Sequence, residues 1–194
     1  TYITTSIQSI FDGLQAGDFY LHQYEGIIDK RTNSSFHKWE KFLSTTPLAY
    51  NGKTVSFNTN LKMFNAGVVG LNSRQKDVLE DVLALTDVVY AKFQKHIAEQ
   101  FAFSYCLQKA GTIHFAEDKI AHYWNLKEFR QLLKKFFAVN AEESVPNLIK
   151  KLHRIDAMAI QVEKNSYKSL PFFQKFMRNL KGKTWKIETY EKRL

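Results

Sequence analysis

Four short stretches carry side chains whose types and spacing could do chemistry. Asn65-Ala66-Gly67 sets an amide, able to donate and accept hydrogen bonds, beside a glycine that lets another molecule approach the backbone closely. The same triplet suits a turn around a structural glycine. Glu99-Gln100 opens the apolar run Phe101-Ala102-Phe103. A carboxylate there sits well against a helix N-terminus, and it could also hold a sugar hydroxyl through charge-assisted hydrogen bonds. His122-Tyr123-Trp124 offers an imidazole suited to a transition metal, with aromatic neighbours that limit water. A satisfied buried histidine has the same signature. His22 and Glu25 form an H-x-x-E pair that, on a strand running into a loop, need not share a face.

Other chemistries drop out. The sequence holds no HExxH, Walker loop, GxGxxG or GxSxG. Cys106, the single cysteine, lies within the apolar Phe103-Ser104-Tyr105-Cys106-Leu107 and reads as core rather than nucleophile. One cysteine also excludes an internal disulfide or a cysteine-rich zinc site, and favours a reducing compartment.

The elements that must position these residues can be read from punctuation and period. Thr4-Thr5-Ser6 precedes Ile7, Ile10, Phe11 and Leu14, which reads as an N-cap and an amphipathic helix closed by Gly17. Residues 19–24 alternate as a strand, and Thr54-Val55-Ser56-Phe57 is a second strand candidate. Between them Phe36, Trp39, Phe42 and Leu43 mark an amphipathic stretch, punctuated by Pro47 and Asn51-Gly52. Residues 64–71 read as a buried strand entered through a tight turn. Ser73 then caps a helix carrying Val78, Val82, Leu85 and Val89, and a further helix runs from Ile97 to Lys109 and stops at Gly111. Thr112–Phe115 is a short strand, and Ile120–Trp124 leads into helix. From Leu126 onward the period is helical, with breaks at Pro146 and Pro171.

At 194 residues, 44% apolar and 24% charged, the chain is long enough for a substantial core and unlike a disordered tail or a coiled coil. It has no run of about 18 uncharged apolar residues and no opening signal peptide. It begins at Thr1 rather than Met, as a piece of something longer would. The net charge of +9 is unevenly placed: residues 1–118 hold 11 Lys/Arg against 12 Asp/Glu, and residues 119–194 hold 17 against 7. Such a basic surface either attracts phosphates or is simply a solvated helical face.

The order of the segments resembles the C-terminal, acceptor-side part of a GT-A-type glycosyltransferase, the nucleotide-sugar transferase fold. Thr1–Ile7 is similar to the sequence just after that family's Asp-x-Asp motif. Phe64–Leu71 resembles its N-A-G-V segment, Glu99-Gln100-Phe101-Ala102 its acidic-Gln helix start, and Ile120–Trp124 its late His-aromatic motif. The likeness covers residues 1–125; neither an Asp-x-Asp nor the preceding nucleotide-binding half is in the chain.

The resemblance implies an α/β fold: a partial GT-A-like mixed sheet with flanking helices over 1–125, followed by a basic helical extension over 126–194. It implies sugar transfer from a nucleotide-diphosphate donor to a glycan, lipid-linked or protein acceptor, assisted by Mn²⁺ or Mg²⁺. Glu99 and Gln100 would orient sugar hydroxyls as the catalytic pair. Asn65, Ala66 and Gly67 would line the sugar or acceptor, Lys119 and Lys127 would hold the diphosphate, and His122 would complete the metal shell. These 194 residues alone are expected to transfer little or no sugar, in a cytoplasmic setting that includes the inner membrane surface. The alternatives are a non-catalytic basic module for anionic lipid or nucleic acid, and an inactive transferase fragment. For the first, Phe172, Phe173, Phe176 and Trp185 alternate with Lys168, Lys175, Arg178, Lys181, Lys183 and Lys186. For the transferase, nucleic acid is not an expected partner.

Overall fold

Alternation along Phe19-Tyr20-Leu21 sends Phe19 and Leu21 to one side of a strand and Tyr20 to the other, and both sides are covered. The computed structural model describes residues 1–28, 34–56, 60–95, 97–123 and 126–193. Phe57 and Trp124, named above, lie outside them. The chain divides into two units, Thr5–Ile120 and Thr1–Thr4 with Ala121–Leu194. Strand β1 (Tyr2–Ile3) belongs to the second.

In the Thr5–Ile120 unit, α1 (Gln8–Ala16) runs into β2 (Phe19–Ile27) through Gly17, whose φ of 102° is one glycine adopts easily. The unit continues with α2 (Ser34–Thr45), a hairpin of β3 (Ala49–Tyr50) and β4 (Lys53–Thr54), and β5 (Lys62–Gly70). Then come α3 (Lys76–Phe93), α4 (Ala98–Ala110) and β6 (Ile113–Phe115). The main sheet has the order β5-β2-β6, antiparallel on one side of β2 and parallel on the other. The fold is therefore α/β with a mixed sheet.

Phe19, Leu21 and Phe64 pack with Leu107 of α4 on one face of this sheet. Tyr20 and Val68 pack with Ile10 and Leu14 of α1 on the other. A larger aromatic core joins α2, α3 and α4. The Trp39 ring lies 4.7 Å from Phe93 and 5.2 Å from Phe101, and Phe42 stacks on Phe93 at 4.5 Å.

Local chemistry differs from the sequence expectation in four places. The cap before α3 is Asn72 rather than Ser73: Asn72 Oδ1 accepts from Arg74 N while the Gln75 side chain accepts from Asn72 N, both at 2.9 Å, over a 3-10 turn at Ser73–Gln75. The N-cap of α1 is Ile7, with the Ser6 hydroxyl accepting only from Gln8 N. The second strand candidate is confined to Lys53–Thr54, because Asn51 (φ 45°) and Gly52 (φ 72°) close a two-residue hairpin. Finally, the strand read at 64–71 already pairs from Lys62, with Asn60 ahead of it in a turn.

Strand β1 pairs with β7 (Ile120–Ala121), so Ile120-Ala121 is strand where the sequence suggested an approach to helix. Four helices follow: α5 (Phe129–Val139), α6 (Val145–Leu152), α7 (Ala157–Ser169) and α8 (Phe172–Leu180). Pro146 stands in the first turn of α6 and Pro171 at the N-cap of α8, where a missing N–H costs nothing. Phe129, Leu132 and Phe136 of α5 meet Ala157 and Ile160 of α7, and Ile187 and Tyr190 of a closing 3-10 stretch. Lys164 is buried there, its ammonium 2.5 Å from Glu128 Oε2 and 5.6 Å from the Trp185 ring centre. Among the described residues no helix is long and apolar enough to cross a membrane.

Candidate functional site

The β2–β5 ladder is irregular where the polar residues lie. Tyr24 pairs with Phe64 and Gly26 with Met63, so Glu25 is an extra residue bulged out of β2. Gly26, at φ 128°, supplies the backbone shape that follows the bulge. A second irregularity sits on β5: Leu21 pairs with Val69 and Gln23 with Asn65, leaving Ala66-Gly67-Val68 opposite the single residue His22. Asn65 Oδ1 accepts a 2.8 Å hydrogen bond from Gly67 N and so fixes this second bulge from within.

The first bulge aims Glu25 at two amides. Asn65 Nδ2 donates to Glu25 Oε1 at 2.9 Å, and Gln100 Nε2 of α4 donates to Glu25 Oε2 at 2.7 Å. Both carboxylate oxygens are thereby held, each by one donor, in a half-buried setting. Three of the four stretches picked out by sequence converge on this carboxylate.

Gln100 is also the first rung of a polar stripe along α4. One turn on, the Ser104 hydroxyl accepts from Phe64 N at 2.9 Å and lies 3.3 Å from Phe64 O and 2.7 Å from Gln100 O. Another turn on, Gln108 accepts from Lys62 N at 3.3 Å and donates to Lys62 O at 2.9 Å. The outer edge of β5 would otherwise present bare N–H and C=O groups. Side chains of α4 take the place of the missing strand. Ser104 and Gln108 were not picked out from sequence, although their four-residue spacing from Gln100 was a visible signal.

The other expected residues are distributed as follows. Ala66 packs against the Phe19–Leu107 cluster, and Gly67 lies in the bulge. Glu99 is exposed in the first turn of α4, next to the residue that engages Glu25. His22 turns away from the carboxylate cluster and donates from Nε2 to Ile120 O at 3.0 Å. Burial holds its pKa below the ordinary 6.5, against the opposing pull of that hydrogen bond and of Glu25. Lys119 pairs with Asp118 and lines a cleft of about 330 Å³ with Ser9, Tyr20 and His114. There His114 Nε2 lies 3.3 Å from Asp18 Oδ2, and its ring stands 5.5 Å from Tyr20. Cys106 is buried, and burial pushes its thiol up to about 11, so it remains protonated at neutral pH.

A larger cleft of about 600 Å³ lies beside β2, β5 and α4, and Glu25, Asn65 and Gln100 are not among the residues that line it. Its lining includes Tyr24, Lys62, Phe64, Gln108 and Phe115. The Phe64 ring lies 5.9 Å from Tyr24 and 5.7 Å from Phe115.

In the second unit His122 is half-buried, and its Nδ1 lies 3.2 Å from Thr1 Oγ1. Lys127 is exposed in the same unit. An imidazole and a hydroxyl do not make a site for Mn²⁺ or Mg²⁺, which prefer several oxygen ligands with carboxylates among them. Among the described residues no group of three or more His, Cys, Asp or Glu could hold a metal ion. The residues present thus do not fit the divalent ion by themselves. No family model, no curated protein and no solved structure matches this chain.

Proposed function

We propose that this chain is the acceptor-side part of a glycosyltransferase that moves a sugar from a nucleotide-diphosphate donor to a glycan, lipid-linked or protein acceptor. The observation that carries this reading is the Glu25 carboxylate clamped between the amides of Asn65 and Gln100. Each of its oxygens gives one lone pair to an amide N–H and keeps another for an incoming O–H. Two adjacent sugar hydroxyls suit such a pair of acceptors, and the bonds they make are charge-assisted. Gln100 and Asn65 act as positioning residues, because they set the plane of the carboxylate. The exposed ring of Tyr24, one residue before Glu25, offers an apolar face for the carbon skeleton of a sugar.

A second observation supports the same reading. Thr1 and His122 lie within hydrogen-bond distance although 121 residues separate them. The resemblance draws these two segments from opposite ends of the matched region, one just after the Asp-x-Asp motif and the other carrying the histidine expected beside the donor diphosphate.

Titration calorimetry and ligand-observed NMR with a panel of monosaccharides and nucleotide sugars test the proposal. Saccharide binding is expected in wild type, weakened about tenfold or more in Glu25→Gln, the loss of one charge-assisted contact set. The thermal midpoint of the variant reports separately whether the fold has survived. Absence of saccharide binding at millimolar concentrations, or binding that Glu25→Gln leaves unchanged, overturns the proposal.

A further inference from the structure

Helix α8 is built inside out. Phe172, Phe173, Phe176 and Leu180 fall within about 100° of arc at the helical period, so they form one apolar face. That face is uncovered: the four side chains are 85%, 69%, 48% and 67% exposed. No residue of α8 is buried, and only Lys175 and Met177 are half-covered. A helix with so sharp a division of apolar and polar residues ordinarily turns the apolar side inward.

The surrounding charge identifies what covers it. From Lys168 to Lys186 the chain carries six Lys/Arg and not one Asp or Glu. Lys168, Arg178, Lys181, Lys183 and Lys186 are all exposed. Lys175 reaches back to the Lys168 carbonyl at 2.6 Å and ties the start of α8 to the end of α7. A second copy of the chain on this face would bring two such basic segments together, at an electrostatic cost. Aromatic side chains beside exposed cations match a surface with an anionic outer layer and an apolar layer beneath it.

We propose that α8 docks the chain on an anionic lipid bilayer. Its phenylalanines and Leu180 lodge at the boundary between headgroups and acyl chains, and the flanking Lys and Arg side chains lie among the lipid phosphates. This inference rests on Ala121–Leu194 alone and stands or falls independently of the sugar site.

Co-sedimentation of the 194-residue chain with phosphatidylcholine vesicles, with and without about 30 mol % phosphatidylglycerol, tests it. The chain is expected to partition onto the anionic vesicles about tenfold or more above the neutral ones, and to release as salt screens the phosphates. The double variant Phe172→Ser/Phe173→Ser, and separately Lys181→Glu/Lys183→Glu, are each expected to reduce partitioning about tenfold. All four side chains are exposed, so the thermal midpoint should hold. A Phe176→Trp reporter should shift its emission to the blue on the anionic vesicles. Equal binding to both vesicle types, binding insensitive to the phenylalanine variant, or an unshifted reporter overturns the proposal. So does a dimer in sedimentation that Phe172→Ser/Phe173→Ser dissolves, which would assign the face to a second copy.

Discussion

Glu25 and His22 sit three residues apart on one strand yet face different chemistry. Glu25 is steered by a bulge toward two amides, and His22 is sunk against the Ile120 carbonyl. Burial depresses the His22 pKa in the folded state below the 6.5 of the unfolded chain. Below about 6.5 the unfolded chain takes up a proton that the folded one declines, so stability is present above that pH and falls beneath it. Denaturant titrations at a series of pH values should show this decline, and His22→Gln should flatten it between the folded pKa and 6.5. An unchanged slope in the variant would assign the acid sensitivity elsewhere.

At the scale of the element, α4 both covers the aromatic core and closes the edge of the sheet. Ser104 is fully buried; its oxygen accepts from Phe64 N, and its single proton lies closer to Gln100 O than to Phe64 O. Ser104→Ala strands the buried Phe64 N–H and should cost about 1–3 kcal/mol in urea unfolding. A loss near zero would mean that water or a shifted backbone takes over. Much at this scale was legible in sequence. The strand at 19–24, the helices through Val82–Val89 and Phe101–Leu107, and the interest of Asn65 and Gln100 follow from period, punctuation and donor–acceptor chemistry. What joins those two residues did not follow, because Glu25 reaches them only through one extra residue in the ladder, and hydrophobic alternation carries no sign of it. Likewise the Gln100-Ser104-Gln108 spacing was visible, but its partners depend on β5 lying at the sheet edge, which is a matter of topology.

Across the whole molecule the positive charge gathers in residues 119–194, while the clamped carboxylate belongs to the near-neutral remainder. The proposed sugar contact and the basic surface proposed to meet lipid phosphates are thus separated along the chain. His122 and Thr1 together lack the ligands for a divalent ion. Assays with radiolabelled nucleotide sugars and Mn²⁺ on these 194 residues should therefore give transfer or hydrolysis close to the uncatalysed background. Robust turnover would show that the chain supplies a donor site from residues other than Thr1 and His122.

The rungs from α4 to β5 have a consequence for how the chain can vary. Sliding β5 by one residue would carry Asn65 about 3.3 Å past the helix and turn its side chain to the other face. The same slip would leave Ser104 and Gln108 facing the wrong backbone atoms. Loop length can drift before Lys62 or after Gly70, but between Lys62 and Asn65 a single insertion would undo the Asn65–Glu25 contact and the edge protection together. The helix works as a ruler, and divergent copies of this chain should keep the distance from Lys62 to Asn65 even where the residues themselves change.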